Sequence, residues 1–354
     1  MSHQLLQQMA PVLQNFSIKP NYIENFGKVY RVYADQGVFA LKKISPQQGT
    51  DFIRHIQYLY QKGYNRIVPI YPAIDGRYAV IYQNDLYYLM PWLPNEIKED
   101  RSERHQQMFR ELARLHTLSV RDVKVNKEEK EQIYENTLLE WEQHKEFLEG
   151  FLEECENKWY MSPFELLFCL YYRDISQSLQ FAKEKFESWY EKTKEVEKAR
   201  VILTHGKVST EHFIYDDRGY GYFSNFEKSR YGPPMHDLLP FLERTLRTYP
   251  KKYDECVDWI YTYFKFFPLK EEELLLLLSY FSHPGSIIAV TEDYYKNPRK
   301  HERKSVEKLQ REYWLLKNKE YVVMRINEIE QQKKQAQAEA QAQAQAQDGA
   351  QDNS

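Results

Sequence analysis

The stretch that decides the fold reads Leu203-Thr204-His205-Gly206-Lys207-Val208-Ser209-Thr210-Glu211-His212. The apolar pair Val201-Ile202 precedes it, and the pattern predicts a short buried strand that turns outward at His205-Gly206. Two positions decide what this loop does. They hold Lys207 and, five residues later, His212.

The spacing is that of a phosphotransferase catalytic loop. In such a loop His and Gly lead into an Asp that accepts the proton of the substrate hydroxyl, and an Asn that binds magnesium follows. Lys207 stands at the position of the base and His212 at that of the oxygen ligand. A lysine binds phosphate or carboxylate but is no general base at neutral pH without a large fall in its pKa. Imidazole suits borderline metals rather than magnesium.

A second strand-like run, Tyr222-Phe223-Ser224-Asn225-Phe226-Glu227, leads to another altered position. Asn225 stands where kinases carry the magnesium-binding Asp, and its neutral amide oxygen is a weaker ligand. Glu227 is the nearby carboxylate. We interpret it as an acid at the surface or directly behind the site residues, paired with Lys228 or Arg230, in preference to a metal ligand.

The N-terminal part predicts a β-hairpin followed by a helix. Residues 28–34 and 38–44 alternate in polarity around a turn, and the second run contains Lys42. Kinases place a lysine there to hold the α- and β-phosphates of ATP. The alternatives are that Lys42 is a solvated strand residue or that Lys43 has the role. Gly27 is the one glycine at the expected phosphate turn, and a single glycine is not a phosphate cradle.

The predicted helix over residues 50–63 lacks the glutamate that pairs with this lysine in kinases. Its only acid is Asp51, at the start, where it fits helix N-capping. His55 and Gln57 lie within reach of Lys42 but cannot neutralise it. Further along the chain, Asp237 is predicted to cap a helix over 238–247, with bracing of the catalytic loop as the alternative.

The order of elements predicts an α+β, two-lobed protein-kinase-like fold with a small antiparallel-sheet N-lobe and a larger helical C-lobe. The predicted domains are an N-terminal helix (1–20), an N-lobe of a sheet plus one helix (21–92), a helical C-lobe (93–330) with the degenerate loop at 203–227, and a disordered or weakly helical Gln/Ala-rich tail (331–354). The elements predicted within these domains are strands at 78–82 and 86–90, helices at 101–118, 126–197, 237–279 and 301–330, and a strand-rich island at 201–227.

Composition excludes several other classes. The net charge of the 354 residues is −3, so no basic face for nucleic acid is implied. Three widely spaced cysteines, Cys155, Cys169 and Cys256, fit a reducing compartment rather than a disulfide framework or a zinc site. The sequence shows no secretory signal and no apolar run of about 18 residues, so we expect no integral membrane segment. The 29 tyrosines suit either an aromatic core or an adhesive, cross-linkable surface.

These motifs resemble those of the aminoglycoside phosphotransferase/choline kinase superfamily. Its loop reads His-Gly-Asp-x-His-x-x-Asn, followed about 18 residues later by Ile-Asp-Phe/Trp-Glu and then by Asp-Leu-Ala at a helix start. The corresponding positions here are 205–212, 224–227 and Asp237-Leu238-Leu239, and Glu111 to His116 resembles the helix end that follows the hinge. The resemblance covers roughly residues 20–320.

Within that superfamily the chain is most similar to the CotS/YsxE/YutH group of spore coat proteins from endospore-forming bacilli. The runs over residues 226–234 and 311–318 carry this resemblance. It implies synthesis in the mother-cell cytoplasm, deposition on the spore coat, and other spore coat proteins as partners.

The resulting hypothesis is a catalytically inactive, kinase-like structural or interaction protein of the spore coat, without cofactor or metal. His205, Lys207, His212, Asn225 and Glu227 are then remnants of a degenerate site. One alternative is a phosphotransferase with a rearranged site, in which ATP and magnesium use Glu227 or Glu211, and Lys42 contacts phosphate. Another is a pseudokinase in which Lys42 and Lys207 bind nucleotide without metal.

Overall fold

The structure, a computed structural model, describes residues 2–95, 101–248, 254–297 and 301–351. The chain forms two units. The first comprises Met1–Val123, Arg200–Phe241 and Thr262–Pro268, and the second comprises Lys124–Ala199, Leu242–Tyr261 and Leu269–Ser354. This division differs from the predicted lobes, because the loop at 203–227 belongs to the same unit as the N-terminal sheet. Long-range packing, rather than order along the chain, sets the boundary.

The helices are α1 Ser2–Gln14, α2 Asp51–Gln61, α3 Arg101–Ser119, α4 Lys127–Glu156, α5 Pro163–Thr193, α6 Met235–Thr248, α7 Asp254–Phe266, α8 Glu271–Ser282, α9 Gly285–Lys296 and α10 Glu302–Gln351. The strands are β1 Pro20–Asn25, β2 Val29–Ala34, β3 Gly37–Ile44, β4 Val80–Tyr82, β5 Asp85–Pro91, β6 Arg121–Lys124, β7 Lys198–Thr204, β8 Phe213–Tyr215, β9 Gly221–Phe223 and β10 Arg230–Gly232. The sequence did not predict β1, β6, β10 or α9.

The N-terminal sheet is antiparallel, with strand order β1-β2-β3-β5-β4. The predicted hairpin is confirmed, because β2 and β3 pair from Val29↔Lys42 to Ala34↔Gly37. Alternation puts Val32 and Leu41 on the buried face, where α1 covers them with Met9 and Leu13. The amphipathic N-terminal helix therefore completes the core of this sheet.

The remaining strands of the first unit form two small sheets. One has the order β10-β7-β6, and the other pairs β8 with β9. Strand β7 ends at Thr204, directly before the degenerate loop, and β9 ends at Phe223, directly before Asn225. The loop and the altered magnesium position therefore both follow short strands, as the sequence predicts.

The second unit is a helical bundle whose core is aromatic. Side chains from α4, α5, α9 and α10 share one cluster, which includes Trp141, Phe151, Phe168, Phe186, Tyr294 and Leu316. A capping box fixes the start of α5: the Glu165 N–H donates to Ser162 Oγ, and the Glu165 carboxylate accepts from the Ser162 N–H at 2.8 Å. Pro163 occupies the first turn, where its missing N–H costs nothing.

One stretch of the described chain, Glu271–Lys296, is long and apolar enough to cross a membrane. It is broken at His283 and Pro284 into α8 and α9, each of 12 residues. A helix of that length rises only about 18 Å, against a hydrocarbon core of about 30 Å. Half of the most apolar window is buried within the protein. The stretch is therefore better explained as bundle core.

Helix α10 continues through most of the Gln/Ala-rich tail, where the sequence predicted disorder or a weak helix. The side chains of residues 331–341 are all exposed. Alanine and glutamine have high helix propensity, so the helix in this segment rests on propensity rather than on packing. The last three residues of the predicted tail lie outside the described residues.

Candidate functional site

Four side chains of the first unit, Lys42, Tyr88, Asn225 and Glu227, form what we call the lysine cluster. Lys42 of β3 is 7 % exposed, and its Nζ lies 2.5 Å from Glu227 Oε1 and donates to Asn225 Oδ1. Tyr88, opposite Lys42 in the β3–β5 ladder, donates its hydroxyl proton to Glu227 Oε1 at 2.5 Å. The predicted surface position of Glu227 and its predicted pairing with Lys228 or Arg230 are therefore wrong. Its cationic partner is Lys42.

A backbone feature directs two of these side chains to Lys42. Asn225 has φ 69° and ψ 50° and precedes a 3-10 turn over Phe226–Lys228. Asparagine tolerates this left-handed conformation better than most residues. Phe226, between the two polar residues, is buried and packs against the His205 ring at a centroid distance of 4.6 Å. The turn thus buries the aromatic ring and brings both Asn225 and Glu227 to the lysine.

The two charges of the cluster depend on one another. Burial lowers the pKa of Lys42, against the effect of Glu227, and the charges of Lys207 and Lys28 lower it further. Burial alone would raise the pKa of Glu227, but the charge and hydrogen bond of Lys42, with the hydrogen bond from Tyr88, hold it below its ordinary value. Each buried charge is thus compensated inside the protein.

The neighbours of Lys42 do not compete for this role. Lys43 points elsewhere, with its Nζ 2.6 Å from the Asp85 carboxylate. His55 of α2 shares a hydrogen bond of 2.8 Å with Ser229 Oγ. The predicted N-cap role of Asp51 is wrong, because Thr50 is the N-cap and Asp51 is the first helical residue. In the first turn its negative charge still interacts favourably with the positive end of the helix dipole.

Asp237 fixes the start of the degenerate loop. Its carboxylate accepts the backbone N–H groups of His205 at 2.6 Å and Gly206 at 2.7 Å, and it lies 3.1 Å from His116 Nε2. Helix α6 begins two residues earlier, so the predicted N-cap role is wrong and the bracing alternative is confirmed. Burial would raise the pKa of Asp237, but the hydrogen bond from His116 and the nearby charges keep it below its usual value.

The two loop histidines, His205 and His212, make hydrogen bonds to backbone groups of the loop and of the strand end beside it. His205 Nδ1 accepts the Lys207 N–H at 3.2 Å, so its Nε2 carries the proton and donates to the Ser224 carbonyl at 2.7 Å. Burial lowers the pKa of His205 to about 4, which keeps the ring neutral. His212 Nδ1 donates to the Lys207 carbonyl at 2.8 Å, and burial lowers its pKa as well. Both imidazoles therefore hold loop geometry.

Lys207, at the position of the base, has an exposed side chain. Within the described chain this side chain makes no hydrogen bond or ion pair, although its charge acts on Lys42 and His212. The structure thus brings Lys42, Asn225 and Glu227 together and places the charge of Lys207 near them. His205 and His212 act through the backbone instead.

These residues do not fit the magnesium ion of a phosphotransferase. Glu227 and Asn225 already accept hydrogen bonds from Lys42, and His212 uses Nδ1 to bind the loop. In the ranges that the structure describes, no three His, Cys, Asp or Glu side chains are grouped so as to hold a metal. Magnesium prefers carboxylate oxygens, and the single carboxylate here is paired with an ammonium group.

In the turn at the expected phosphate position, backbone N–H groups already donate hydrogen bonds within the turn. Only three residues separate β1 from β2. The Gly27 N–H donates to Asn25 Oδ1 at 2.8 Å, and the Phe26 N–H donates to the Val29 carbonyl at 2.9 Å. The Phe26 ring lies against Trp92, with centroids 5.8 Å apart. These backbone groups are therefore already bonded rather than directed at a phosphate.

The match to a family model shows which family the chain belongs to. A family model described as "Phosphotransferase enzyme family" matches residues 25–255, which is more than half of the chain. The chain belongs to the phosphotransferase enzyme family. The predicted kinase-like fold is confirmed, with an antiparallel sheet in the N-terminal region and a helical C-terminal part. No curated protein matches the sequence significantly.

Solved structures share this fold. An aminoglycoside phosphotransferase from Alicyclobacillus acidocaldarius superposes with a TM-score of 0.68 at 12% identity, over 89% of this chain and 94% of its own. A spectinomycin phosphotransferase in complex with ADP and spectinomycin gives 0.52 at 12% identity, over 91% and 99%. At these identities the likeness shows the fold alone. What this phosphotransferase-family chain does rests on its own site.

Gly206 allows a direct test of the loop geometry. It has φ +78°, and a Cβ built there would lie 2.2 Å from the Lys228 carbonyl oxygen. Gly219 has φ +81° with open space around its Cβ position. We expect Gly219→Ala to cost about 1 kcal/mol of unfolding free energy through backbone strain alone. Gly206→Ala should cost clearly more, because the backbone of residue 228 must also move.

Chemical denaturation of the two variants and the wild type measures this difference. Equal losses for Gly206→Ala and Gly219→Ala would contradict the close approach of the loop to residue 228.

Proposed function

We propose that this protein is a catalytically inactive member of the phosphotransferase family that acts as a structural or interaction component of the bacterial endospore coat. The lysine cluster is the observation that supports the first part of this proposal, the absence of catalysis. Lys42, at the strand position of the phosphate-binding lysine of kinases, is bonded to Glu227 and to Asn225, which stands at a magnesium-binding position of the family.

Releasing Lys42 to a nucleotide is costly. Glu227 would remain buried with Tyr88 as its hydrogen-bond donor and without its counter-charge. Breaking a buried pair in this way costs about 3–5 kcal/mol. A phosphate that displaced Glu227 from Lys42 would therefore bind roughly a hundredfold more weakly or worse, since each 1.4 kcal/mol is tenfold in affinity. A phosphate bound while Lys42 kept its glutamate, as in the lysine–glutamate pair of kinases, would not meet this cost.

The chemical step lacks its remaining parts. The position of the general base carries the cation Lys207, and the two magnesium positions carry His212 and Asn225. Phosphoryl transfer depends on positioning and on charge stabilisation by metal ions and cationic groups. Because the base and both metal ligands are replaced together, no single remaining group can supply the missing catalysis.

The coat assignment rests on the resemblance over residues 226–234 and 311–318 to spore coat proteins. Two surface features support an interaction role. Trp159 and Tyr160, adjacent residues between α4 and α5, are 89% and 82% exposed. The tail helix over residues 331–341 exposes its side chains on all sides. Exposed aromatic groups favour contacts with other proteins, and here the proposed partners are other coat proteins.

Thermal unfolding with ATP, in the presence and absence of magnesium, tests the inactive site. We expect no magnesium-dependent shift and no phosphate release for the wild type. The triple variant Lys207→Asp/His212→Asn/Asn225→Asp restores the family's oxygen ligands and should gain a magnesium-dependent shift. Lys228→Asp, an exposed change next to the cluster, controls for added negative charge and should gain none.

A magnesium-dependent shift with turnover by the wild type would contradict the inactive site and favour a rearranged phosphotransferase. A shift with ATP alone would favour a pseudokinase that binds nucleotide through its lysines without metal.

A fluorescent fusion in sporulating cells tests the coat assignment separately. We expect the signal first in the mother-cell cytoplasm and then as a shell around the forespore that remains with the coat fraction of purified spores. A signal that stays diffuse in the mother cell and is absent from purified spores would contradict it.

A further inference from the structure

Two of the three cysteines lie side by side within the helical unit. Cys155 is at the end of α4 and Cys169 is near the start of α5, and both pack in the aromatic core of the bundle. Both thiols are free, and a hydrogen bond joins them. The sequence gave no sign of this contact, because it exists only when α5 folds back against α4.

Contacts on both sides of the pair fix the two helices around it. Phe151, one turn before the cysteine of α4, packs edge to face on Phe168, the residue next to the cysteine of α5, with ring centroids 4.8 Å apart. At the connection between the helices, Lys158 forms an ion pair of 2.7 Å with Glu165. The two thiols are therefore held at one helix interface. To form a disulfide, their sulfurs need only approach from hydrogen-bond contact to about 2.0 Å.

The two thiols differ in their access to solvent. Cys155 is 0% exposed, whereas Cys169 is partly exposed and lies beside Leu166 and Leu170, which are 51% and 67% exposed. Burial raises the pKa of Cys155 to about 12. Burial also raises the pKa of Cys169, but the hydrogen bond with Cys155 acts in the opposite direction and lowers it. Since the thiolate is the reactive form, Cys169 meets a reagent first and Cys155 is held against it.

We propose that Cys155 and Cys169 form a reversible intramolecular disulfide when the protein meets a small-molecule disulfide such as oxidised glutathione. The Cys169 thiolate attacks one sulfur of the reagent, keeps that half as a mixed disulfide and releases the other half as a thiol. The Cys155 thiol loses its proton, attacks the Cys169 sulfur and releases the second half. Two protein thiols are oxidised, one reagent disulfide is reduced to two thiols, and no proton is gained or lost overall.

The bond closes the segment that presents two strongly exposed aromatic residues. Trp159 and Tyr160, 89% and 82% exposed, lie between the two cysteines along the chain. A disulfide across a loop of roughly 15 residues restricts the chain on both sides of it. The bond does not depend on the proposed coat role. It connects the mobility of this aromatic surface to the oxidation state of the surroundings.

Thiol counting on the full-length protein tests the inference. After reaction with oxidised glutathione at mildly alkaline pH, the wild type should lose two of its three titratable thiols and retain no glutathione. Trypsin cleaves after Lys158, so mass spectrometry should find the peptides of Cys155 and Cys169 joined until a reductant separates them. Cys256→Ser is the matched control, because Cys256 is also 0% exposed and lies in the same unit. It should form the same bond.

The single variants separate the two steps. Cys155→Ser should stop at the mixed disulfide and retain one glutathione on Cys169, because the second thiol is gone. Cys169→Ser should retain no glutathione, because Cys155 is shielded from the reagent. If serine at position 155 destabilises the core, Cys155→Ala removes the same thiol.

Three results would overturn the inference. The first is a wild type that retains glutathione on Cys169 without joined peptides. The second is a wild type that keeps all three thiols after the reaction. The third is a joined pair of peptides that includes Cys256.

Discussion

The buried ion pair between Lys42 and Glu227 is the interaction on which the rest of this site depends. It joins the N-terminal sheet to the turn that follows β9, within one unit of the protein. Neither charge is tolerable there alone, because an unpaired buried ion costs several kcal/mol. Tyr88 and Asn225 complete the hydrogen bonding of the pair. Lys42 therefore holds the sheet and the turn together through its pair with Glu227.

The geometry of the loop is held by hydrogen bonds to its backbone rather than by the side chain at the position of the base. Asp237 accepts backbone N–H groups of the loop, and His205 and His212 bind loop carbonyls. None of these bonds requires a carboxylate at Lys207 or an oxygen ligand at position 212.

The sequence was sufficient for what depends on local pattern. Alternation predicted the hairpin, and the spacing around His205 predicted the family frame and hence the fold. It could not predict the partner of Glu227. The turn that holds Asn225 and Glu227 follows Lys42 at a distance of 183 residues, counted to Asn225, and only packing brings the two segments together. Asp237 was misread for the same reason: an acid near a helix start looks like a cap until the loop against it is seen. The Gln/Ala composition of the tail could not distinguish disorder from a helix, because the tail has no apolar face that would specify packing.

A double-mutant cycle on Lys42 and Glu227 tests the central claim most directly. Lys42→Met and Glu227→Gln should each lower the free energy of unfolding by about 3 kcal/mol, and the double variant should lose clearly less than the sum. The partly exposed pair of Lys43 and Asp85 is the reference, with an expected coupling of about 0.2–1 kcal/mol. A coupling of roughly 2 kcal/mol or more for Lys42 and Glu227 supports the account. Additive losses would mean that Lys42 is not committed to Glu227 and would contradict it.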